Sequence, residues 1–465
     1  MKMEINGQWC ITEVGHGLDV DNLETTATWV PTPTSGTTTS DPNGADFDAM
    51  VAKGHWLLHT PRPEAAKIMA VTAPFSTGTP CVAVVFARMI LGDEDKGVRP
   101  FVVDIHDGDN LYEGISVKLL PPQGGSDPLP HSITYFNNSC AVDSLSMPNP
   151  DSNKRFLTSL SVPQSKPSFA QSIYRVSIGA LALSLSASNY IKLSATIGLV
   201  YSGQRCIGRP SSNGDRQNKQ IPIITFSTQQ YPILTAVAQA YVLDAFYDWV
   251  TEEASFLNPV TVDDTTLRIR RAMAGITKAM TIQFAYRGCL SISERCGWRG
   301  LFRANMMSRM HALARGLAIA EGDIVGVSMR TTMELLLGRY KMPLATDPQN
   351  ILAKHEQGLL QECREVLMKT KTHRSEEVNN HVLPRCQKIV EAIGHRLAYE
   401  AAAGASQNGV AIPTCVLDLF KISVVRLDEA WYIENIPGLT RKTLDEQEVK
   451  AMAAVLEIAD RLIEK

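Results

Sequence analysis

The hydrophobic pattern of this chain changes period once, near Ser168, and that change limits the folds open to it. Up to about residue 150, strand-like runs alternate with clusters of Gly, Pro, Asn and Asp. Val82-Ala83-Val84-Val85-Phe86 and Arg99-Pro100-Phe101-Val102-Val103 are the clearest of these runs. Pro31 to Gly44 forms a polar loop between strands, expected to carry little chemistry, and Pro121-Pro122-Gln123-Gly124-Gly125 a tight connection. Beyond Ser168, Ile173, Val176, Ile178, Leu181 and Leu183 recur at helical spacing, as do Leu234, Val237, Ala238, Tyr241 and Val242. No further strand cluster follows. Strands first and helices afterwards predict an α+β multidomain chain with separate β and α domains, not a doubly wound sheet. The expected order is an antiparallel β domain over 1–150, a helical bundle over 168–340 and a second helical layer over 341–465. That last layer includes helices from Leu359 to Lys369 and from Glu446 to Lys465, with Pro384 and Pro413 as breakers.

A chain of 465 residues has room for two to four domains. A net charge of -3 with no basic block argues against a nucleic-acid partner. Nine cysteines are scattered from Cys10 to Cys415 without a CxxC pair, which points to reduced thiols in an intracellular compartment. No Cys/His cluster has ligand spacing, so no metal is expected. The N-terminus MKMEINGQWC lacks the apolar core of a signal peptide. The apolar stretch from Ile178 to Val200 is broken by serines, Asn189 and Lys192, and suits a buried helix better than a membrane span. The C-terminal residues Arg461 to Lys465 are not a Ser-Lys-Leu-type address, leaving peroxisome or cytoplasm as the expected location. Neither a GxGxxG after a strand nor a Walker A loop is present.

One stretch, Glu294 to Tyr340, carries an oddity at its centre. Glu321 and Asp323 flank Gly322 between the apolar runs Gly316–Ala320 and Ile324–Val327. A carboxylate in apolar surroundings is costly unless paired, and such surroundings suit it to proton transfer. Two readings stand at this point: a proton-transfer group, or a satisfied acidic cap between two helices.

Four stretches, in order, resemble the acyl-CoA dehydrogenase and acyl-CoA oxidase superfamily, on the oxidase side. They are Thr12-Glu13-Val14-Gly15-His16-Gly17 with Leu23-Glu24-Thr25-Thr26-Ala27; Gly97-Val98-Arg99-Pro100-Phe101 with His131 to Phe136; Tyr201-Ser202-Gly203-Gln204-Arg205 with Phe226-Ser227-Thr228-Gln229-Gln230; and Cys296-Gly297 followed by Ala320-Glu321-Gly322. The resemblance covers nearly the whole chain. It implies FAD as cofactor, an acyl-CoA thioester as substrate and α,β-dehydrogenation as the reaction, in fatty-acid β-oxidation or a specialised biosynthetic pathway. Glu321 would be the base that removes the α-proton, with its own backbone N–H polarising the thioester carbonyl. Gly322 would permit a backbone geometry that a side chain obstructs.

By the same resemblance Thr12, Gly17, Thr60 and Gly297 would lie against the flavin, while Arg205 and Gln230 (or its neighbour Gln229) would hold the FAD pyrophosphate of a partner subunit. The expected assembly is therefore a homo-oligomer, a dimer. His16 is expected to be structural, Asp323 a solvated or paired neighbour, and Met306, Met307 and Met310 core filling. Two departures stand out. The chain starts where the family's β domain begins, without the N-terminal helical domain that roofs the acyl pocket. The family's CGG loop reads Cys296-Gly297-Trp298-Arg299-Gly300, in which Trp298 either stacks on a ring or blocks the cofactor. The expected alternatives to an oxidase or dehydrogenase are a catalytically impaired subunit or binding protein of the same fold, and a longer product of which this chain is part.

Overall fold

In the computed structural model, residues 4–31, 54–74, 78–137, 140–142, 173–209, 219–254, 263–407 and 412–463 are described. The chain divides into two compact units, Met1–Ile173 and Tyr174–Lys465. Most of the Pro31–Gly44 loop and the expected boundaries at 150 and 168 lie outside the described residues.

The first unit is a β domain. Its strands are β1 Asn6–Cys10, β2 Thr26–Pro31, β3 Gly54–His59, β4 Lys67–Ala70, β5 Cys81–Leu91, β6 Glu94–His106, β7 Ile115–Leu119, β8 His131–Phe136 and β9 Cys140–Val142. One sheet runs β1-β5-β2-β3-β9 with β6 also on β5; a second runs β4-β8-β7. The runs at 82–86 and 99–103 are the facing strands of the long β5–β6 hairpin. The expected β domain is thus present, but its main sheet is mixed: β1 and β2 both run parallel to β5. Parallel pairing needs long connections, and no local pattern records it. Alternation in β5 buries Cys81, Ala83, Val85 and Ala87 against Leu58, Phe101, Val103 and Ile105.

The second unit is helical around one shared core. Its long helices are α1 Arg175–Gln204, α2 Ser227–Ala254 and α3 Asp264–Arg295; α4 Met307–Ile319 and α5 Ile324–Leu336 follow. The later layer contains α6 Ile351–Met368, α7 Glu376–His381, α8 Cys386–Gln407, α9 Thr414–Val425, α10 Glu429–Asn435, α11 Arg441–Leu456 and α12 Ala459–Ile463. The apolar stretch Ile178–Val200 lies within α1, which buries Ala187, Ile191, Ala195 and Leu199. No described helix is long and apolar enough to cross a membrane.

Three details differ from expectation. A two-stranded hairpin, Cys206–Arg209 with Lys219–Pro222, follows α1 where no strand was expected. Its strands are four residues long and Ile207 is largely exposed, so they leave no apolar alternation to detect. The helix expected from Leu359 begins at Ile351, where Asn350 caps it by accepting from Leu352 N–H at 2.9 Å. The helix expected over Glu446–Lys465 is instead α11 followed, after a break, by α12. Pro413 does punctuate the chain, as the N-cap of α9.

Candidate active site

The centre of the Glu294–Tyr340 stretch is the link Ala320–Asp323 between α4 and α5. Asp323 caps α5, accepting from Val325 N–H at 2.8 Å and Gly326 N–H at 3.4 Å. It is therefore a paired neighbour, and the acidic cap is Asp323, not Glu321. Glu321 instead has φ 55° and Gly322 φ 91°, so two successive residues adopt left-handed backbone. Glycine does so freely; a glutamate does not.

What holds that turn comes from α3. Lys278, only 1% exposed, donates from Nζ to the carbonyls of both Ala320 and Gly322. One turn earlier on the same face, Gly275 lets Val327 of α5 approach so closely that a Cβ would meet Val327 Cγ1 at 2.5 Å. Burial pushes the Lys278 ammonium down to about 8, against the opposing pull of the Glu321 and Asp323 carboxylates.

What holds the carboxylate comes from α1. Arg175 Nη1 donates to Glu321 Oε1 at 2.6 Å. A Cβ on Gly179, one turn later, would lie 2.6 Å from Glu321 Cδ and 2.9 Å from Oε1. The absent side chain is the notch in which the carboxylate sits. The apolar surroundings expected from sequence are thereby corrected: Glu321 is ion-paired, and its side chain is 18% exposed. Apolar letters flanked it in sequence, but the turn carries it past them to meet a guanidinium 146 residues away.

The opposite end of α1 gathers the expected phosphate ligands. Arg205 is the exposed C-cap of α1, and its carbonyl accepts from Ile223 N–H at 2.8 Å. Gln230, in the first turn of α2, donates Nε2 to Ile224 O at 2.9 Å. Gln229 donates Nε2 to Arg295 O at 3.5 Å and leaves its buried Oε1 without a hydrogen bond, while Arg295 Nε donates to Thr228 O at 2.7 Å. Gly297 follows, with φ 56° and open space where a Cβ would project. Arg205, Gln230 and Gly297 are thus brought to one end of the bundle. Glu321 is not with them: Gly179 and Arg205 are separated by about 40 Å at the rise of an α-helix.

In the Cys296–Gly300 loop, Gly300 is the glycine that close packing demands, since a Cβ there would run into Ser293 O. Trp298 stands out of the loop, 74% exposed, with its ring 5.0 Å from that of Phe302. Beside it lies a cavity of about 410 Å³ whose wall includes Tyr201, Cys296 and Arg299. The guanidinium of Arg299 is 6.0 Å from the centre of the Tyr201 ring. Met307 and Met310 are fully buried core, and Met306 packs against it.

In the β unit the first two motif segments are one device. Glu13 is buried, with its carboxylate on Lys67 Nζ at 2.9 Å and on the N–H groups of Glu24 and Thr25, both at 2.9 Å. Burial pushes the Glu13 carboxyl up, but Lys67 and these hydrogen bonds outweigh it and hold the group below its ordinary value. His16 sits between two carboxylates, Nδ1 3.1 Å from Glu13 without hydrogen-bond alignment and Nε2 3.1 Å from Glu24, in a structural position. Thr12 lends its carbonyl to Ile68 N–H at 3.0 Å. Thr60 follows β3, its Oγ1 accepting from Phe136 N–H at 2.9 Å and so clamping β8. Gly17 is exposed, with open space around it.

Sequence reasoning missed Arg175, Gly179 and Lys278. Of these only Lys278 left a signal: it is the lone charge in the small and apolar run Ala272–Ala285.

Residues 178–336 match the family model for the acyl-CoA oxidase C-alpha1 domain. The chain is 25% identical over 358 residues to peroxisomal acyl-coenzyme A oxidase 3 of Homo sapiens, covering 72% of this chain and 46% of that protein. It is 25% identical over 390 residues to peroxisomal acyl-coenzyme A oxidase 1 of Arabidopsis thaliana, covering 79% and 52%. The chain therefore spans about half the length of the curated relatives it matches. Its fold is shared with acyl-CoA oxidase-1 of Caenorhabditis elegans, solved with FAD and ATP, at a TM-score of 0.77 and 17% identity over 99% of this chain and 70% of that one. Acyl-CoA oxidase 3 of Yarrowia lipolytica superposes with a TM-score of 0.76 and 18% identity over 98% and 69%. A β domain before a helical bundle, a segment over residues 178–336 that matches the acyl-CoA oxidase C-alpha1 model and holds the Glu321 turn, and this shared fold make the chain similar to acyl-CoA oxidases.

Proposed function

We propose that the chain is an FAD-dependent acyl-CoA oxidase or dehydrogenase that introduces an α,β double bond into an acyl-CoA thioester, with Glu321 as the base. One observation carries the reading. Inside the oxidase C-alpha1 segment, a carboxylate is fixed on a left-handed turn and seated in the notch at Gly179. A non-glycine residue held in that conformation is expected where precise placement matters.

Glu321 takes the α-proton, and its backbone N–H polarises the thioester carbonyl so that the charge developing on oxygen is met. Arg175 orients the carboxylate before substrate binds and, half exposed, can swing into solvent when it does. The polar groups at the far end of α1 fit a flavin dinucleotide: the Arg205 guanidinium and the N-terminus of α2 can donate to a phosphate, and the unsatisfied Gln229 Oε1 can accept from a hydroxyl beside it. Within the β unit, Thr12, Gly17 and Thr60 are proposed flavin contacts; within the helical unit, Gly297 is a proposed cofactor contact beside Arg205 and Gln230. A bound FAD supplies the hydride acceptor for the β-carbon.

The separation of about 40 Å along α1 supports a site completed by a second copy, since one chain cannot bring Glu321 and Arg205 to the same reacting centre. In a two-fold dimer, each site would combine Glu321 of one protomer with Arg205 of its partner.

The test uses purified protein loaded with FAD. Acyl-CoA should bleach the flavin band of the wild type; Glu321→Gln should keep its flavin and show no bleaching. Bleaching by that variant would rule out Glu321 as the base. Hydrogen peroxide with oxygen as sole acceptor would mark an oxidase. Co-expressing Glu321→Gln with Arg205→Glu should restore about a quarter of wild-type turnover, because random pairing leaves one intact site in each mixed dimer. No recovery from isolated mixed dimers would reject the shared site. A second reading, a catalytically impaired subunit, is favoured by the Arg175 guanidinium that already occupies Oε1. Tight flavin binding with no reduction by acyl-CoAs of any chain length would select it.

A further inference from the structure

We infer that Lys278 is the positioning residue of the Glu321 base: its ammonium clamps the carbonyls on both sides of Glu321 and so fixes the backbone from which the carboxylate projects. The inference rests on the proposed role of Glu321 and extends it to a residue that never touches the reacting atoms.

The turn cannot hold itself. Left-handed backbone at Glu321 is a strained choice for a residue with a Cβ, and the strain persists only where the surroundings over-determine it. The hydrogen bonds of α4 end with Ala320 N–H to Gly316 O, and those of α5 begin at the Asp323 cap. Between them, the Ala320 and Gly322 carbonyls converge on one nitrogen. A carbonyl fixed on each side of Glu321 leaves its backbone dihedrals little freedom.

The nitrogen is itself held in place. Lys278 lies mid-helix in α3, 1% exposed, on the face where Gly275 admits Val327 of α5. The Glu321 and Asp323 carboxylates favour its charged form, the first being paired with Arg175 and the second capping α5. A buried amine is unfavourable, as its lowered pKa of about 8 reflects. An apolar side chain would fill this helix position more comfortably, but would leave two carbonyls unpaired and the turn free to relax.

The test compares Lys278→Met, which keeps the volume and removes the donors, with Lys278→Gln, whose amide can still reach one carbonyl. Both are purified with FAD beside the wild type and Glu321→Gln. The Lys278→Met variant should retain flavin and keep KM within about twofold, while kcat per flavin falls about 100-fold, the effect of a misplacement near 1 Å. Lys278→Gln should recover part of that loss. Hydrogen exchange should quicken at the amides of Glu321 to Val325 and stay unchanged along α1. Wild-type kcat in Lys278→Met, or unaltered exchange at the turn, would overturn the inference. A merely structural lysine would instead lower the melting temperature and the yield with kcat per flavin intact. If Lys278→Met does not fold, Lys278→Gln carries the same comparison. If the wild type is not reduced by acyl-CoA, or Glu321→Gln remains active, the base assignment fails, and the exchange measurement still decides whether Lys278 clamps the turn.

Discussion

Replacing Gly179 with alanine should uncouple stability from turnover. Gly179 lies in the second turn of α1 in ordinary helical backbone, so alanine is compatible with the chain there. Exchanging glycine for alanine within a helix stabilises by about 1 kcal/mol. In a protein of this size that corresponds to a rise of roughly 1 °C in melting temperature. The new methyl would start 2.6 Å from Glu321 Cδ, 2.9 Å from Cγ and 2.9 Å from Oε1. Carbon pairs are comfortable near 3.5–4.0 Å, so the carboxyl must retreat by about 1 Å. It can retreat cheaply, because it is the far end of a partly exposed side chain. The helix is therefore spared and the displacement falls on the proposed base. A misplacement of this size costs about 100-fold in rate. Flavin bleaching by acyl-CoA and a thermal melt, run on the same preparation, check both halves. Turnover within about twofold of wild type would show that the notch does not set the position of the base. A fall of several degrees would show that the carboxylate cannot yield as reasoned.

Two further outcomes test other parts of the chain. Glu13→Gln strands the Lys67 ammonium, whose side chain is fully buried, and should destabilise by about 3–5 kcal/mol; Glu13→Gln with Lys67→Met should recover much of this, read from denaturation midpoints. The sign with pH follows from the lowered native pKa of Glu13: its contribution is complete above the unfolded carboxylate value of about 4.3 and is lost as pH falls through the lower native value. The acid limb of a melting-temperature profile should therefore be shallower in Glu13→Gln than in the wild type. Trp298→Ala should leave stability within about 0.5 kcal/mol, because the ring is 74% exposed, and should remove the tryptophan emission most accessible to a neutral quencher.

The β domain was legible because β5 and β6 hold runs of β-branched and aromatic residues between turn clusters, and the helical unit because apolar residues recur at helical spacing in α1 and α2. The short hairpin after α1 was not, since four-residue strands with exposed side chains carry no alternation. Parallel pairing of β1 and β2 with β5 was invisible for a different reason: it is a long-range choice that leaves each strand's own pattern unchanged. The site divides in the same way. Glu321 was conspicuous as a charge among apolar letters, and the Arg205 and Gln230 segments resembled known motifs. Arg175 and Gly179 were silent, because their importance lies only in facing Glu321 across 146 and 142 positions of sequence. Trp298, suspected of either stacking on a ring or blocking the cofactor, points out of its own loop, so the loop's inner packing rests on Gly300 instead.

The surroundings of Glu321 also order the two readings of the chain. Its position is set from three directions by regular helices: α1 through Gly179, α3 through Lys278, and α5 through the Asp323 cap that starts it. Side chains carried on helices are held more firmly than those on loops, so the backbone under the carboxylate is the fixed part of the site. Arg175 is the movable part, with a long side chain, a position in the first turn of α1 and about half of its surface in solvent. A group built only to neutralise Glu321 would gain more from burial, as Arg396 shows elsewhere in this chain, where a guanidinium 2% exposed is held by Glu356 and Glu400. An exposed ion pair contributes little net stability, so the Arg175 contact binds the Glu321 carboxylate only weakly. The contact that argues for an impaired subunit is therefore the one that substrate binding can most readily undo, which favours the catalytic reading.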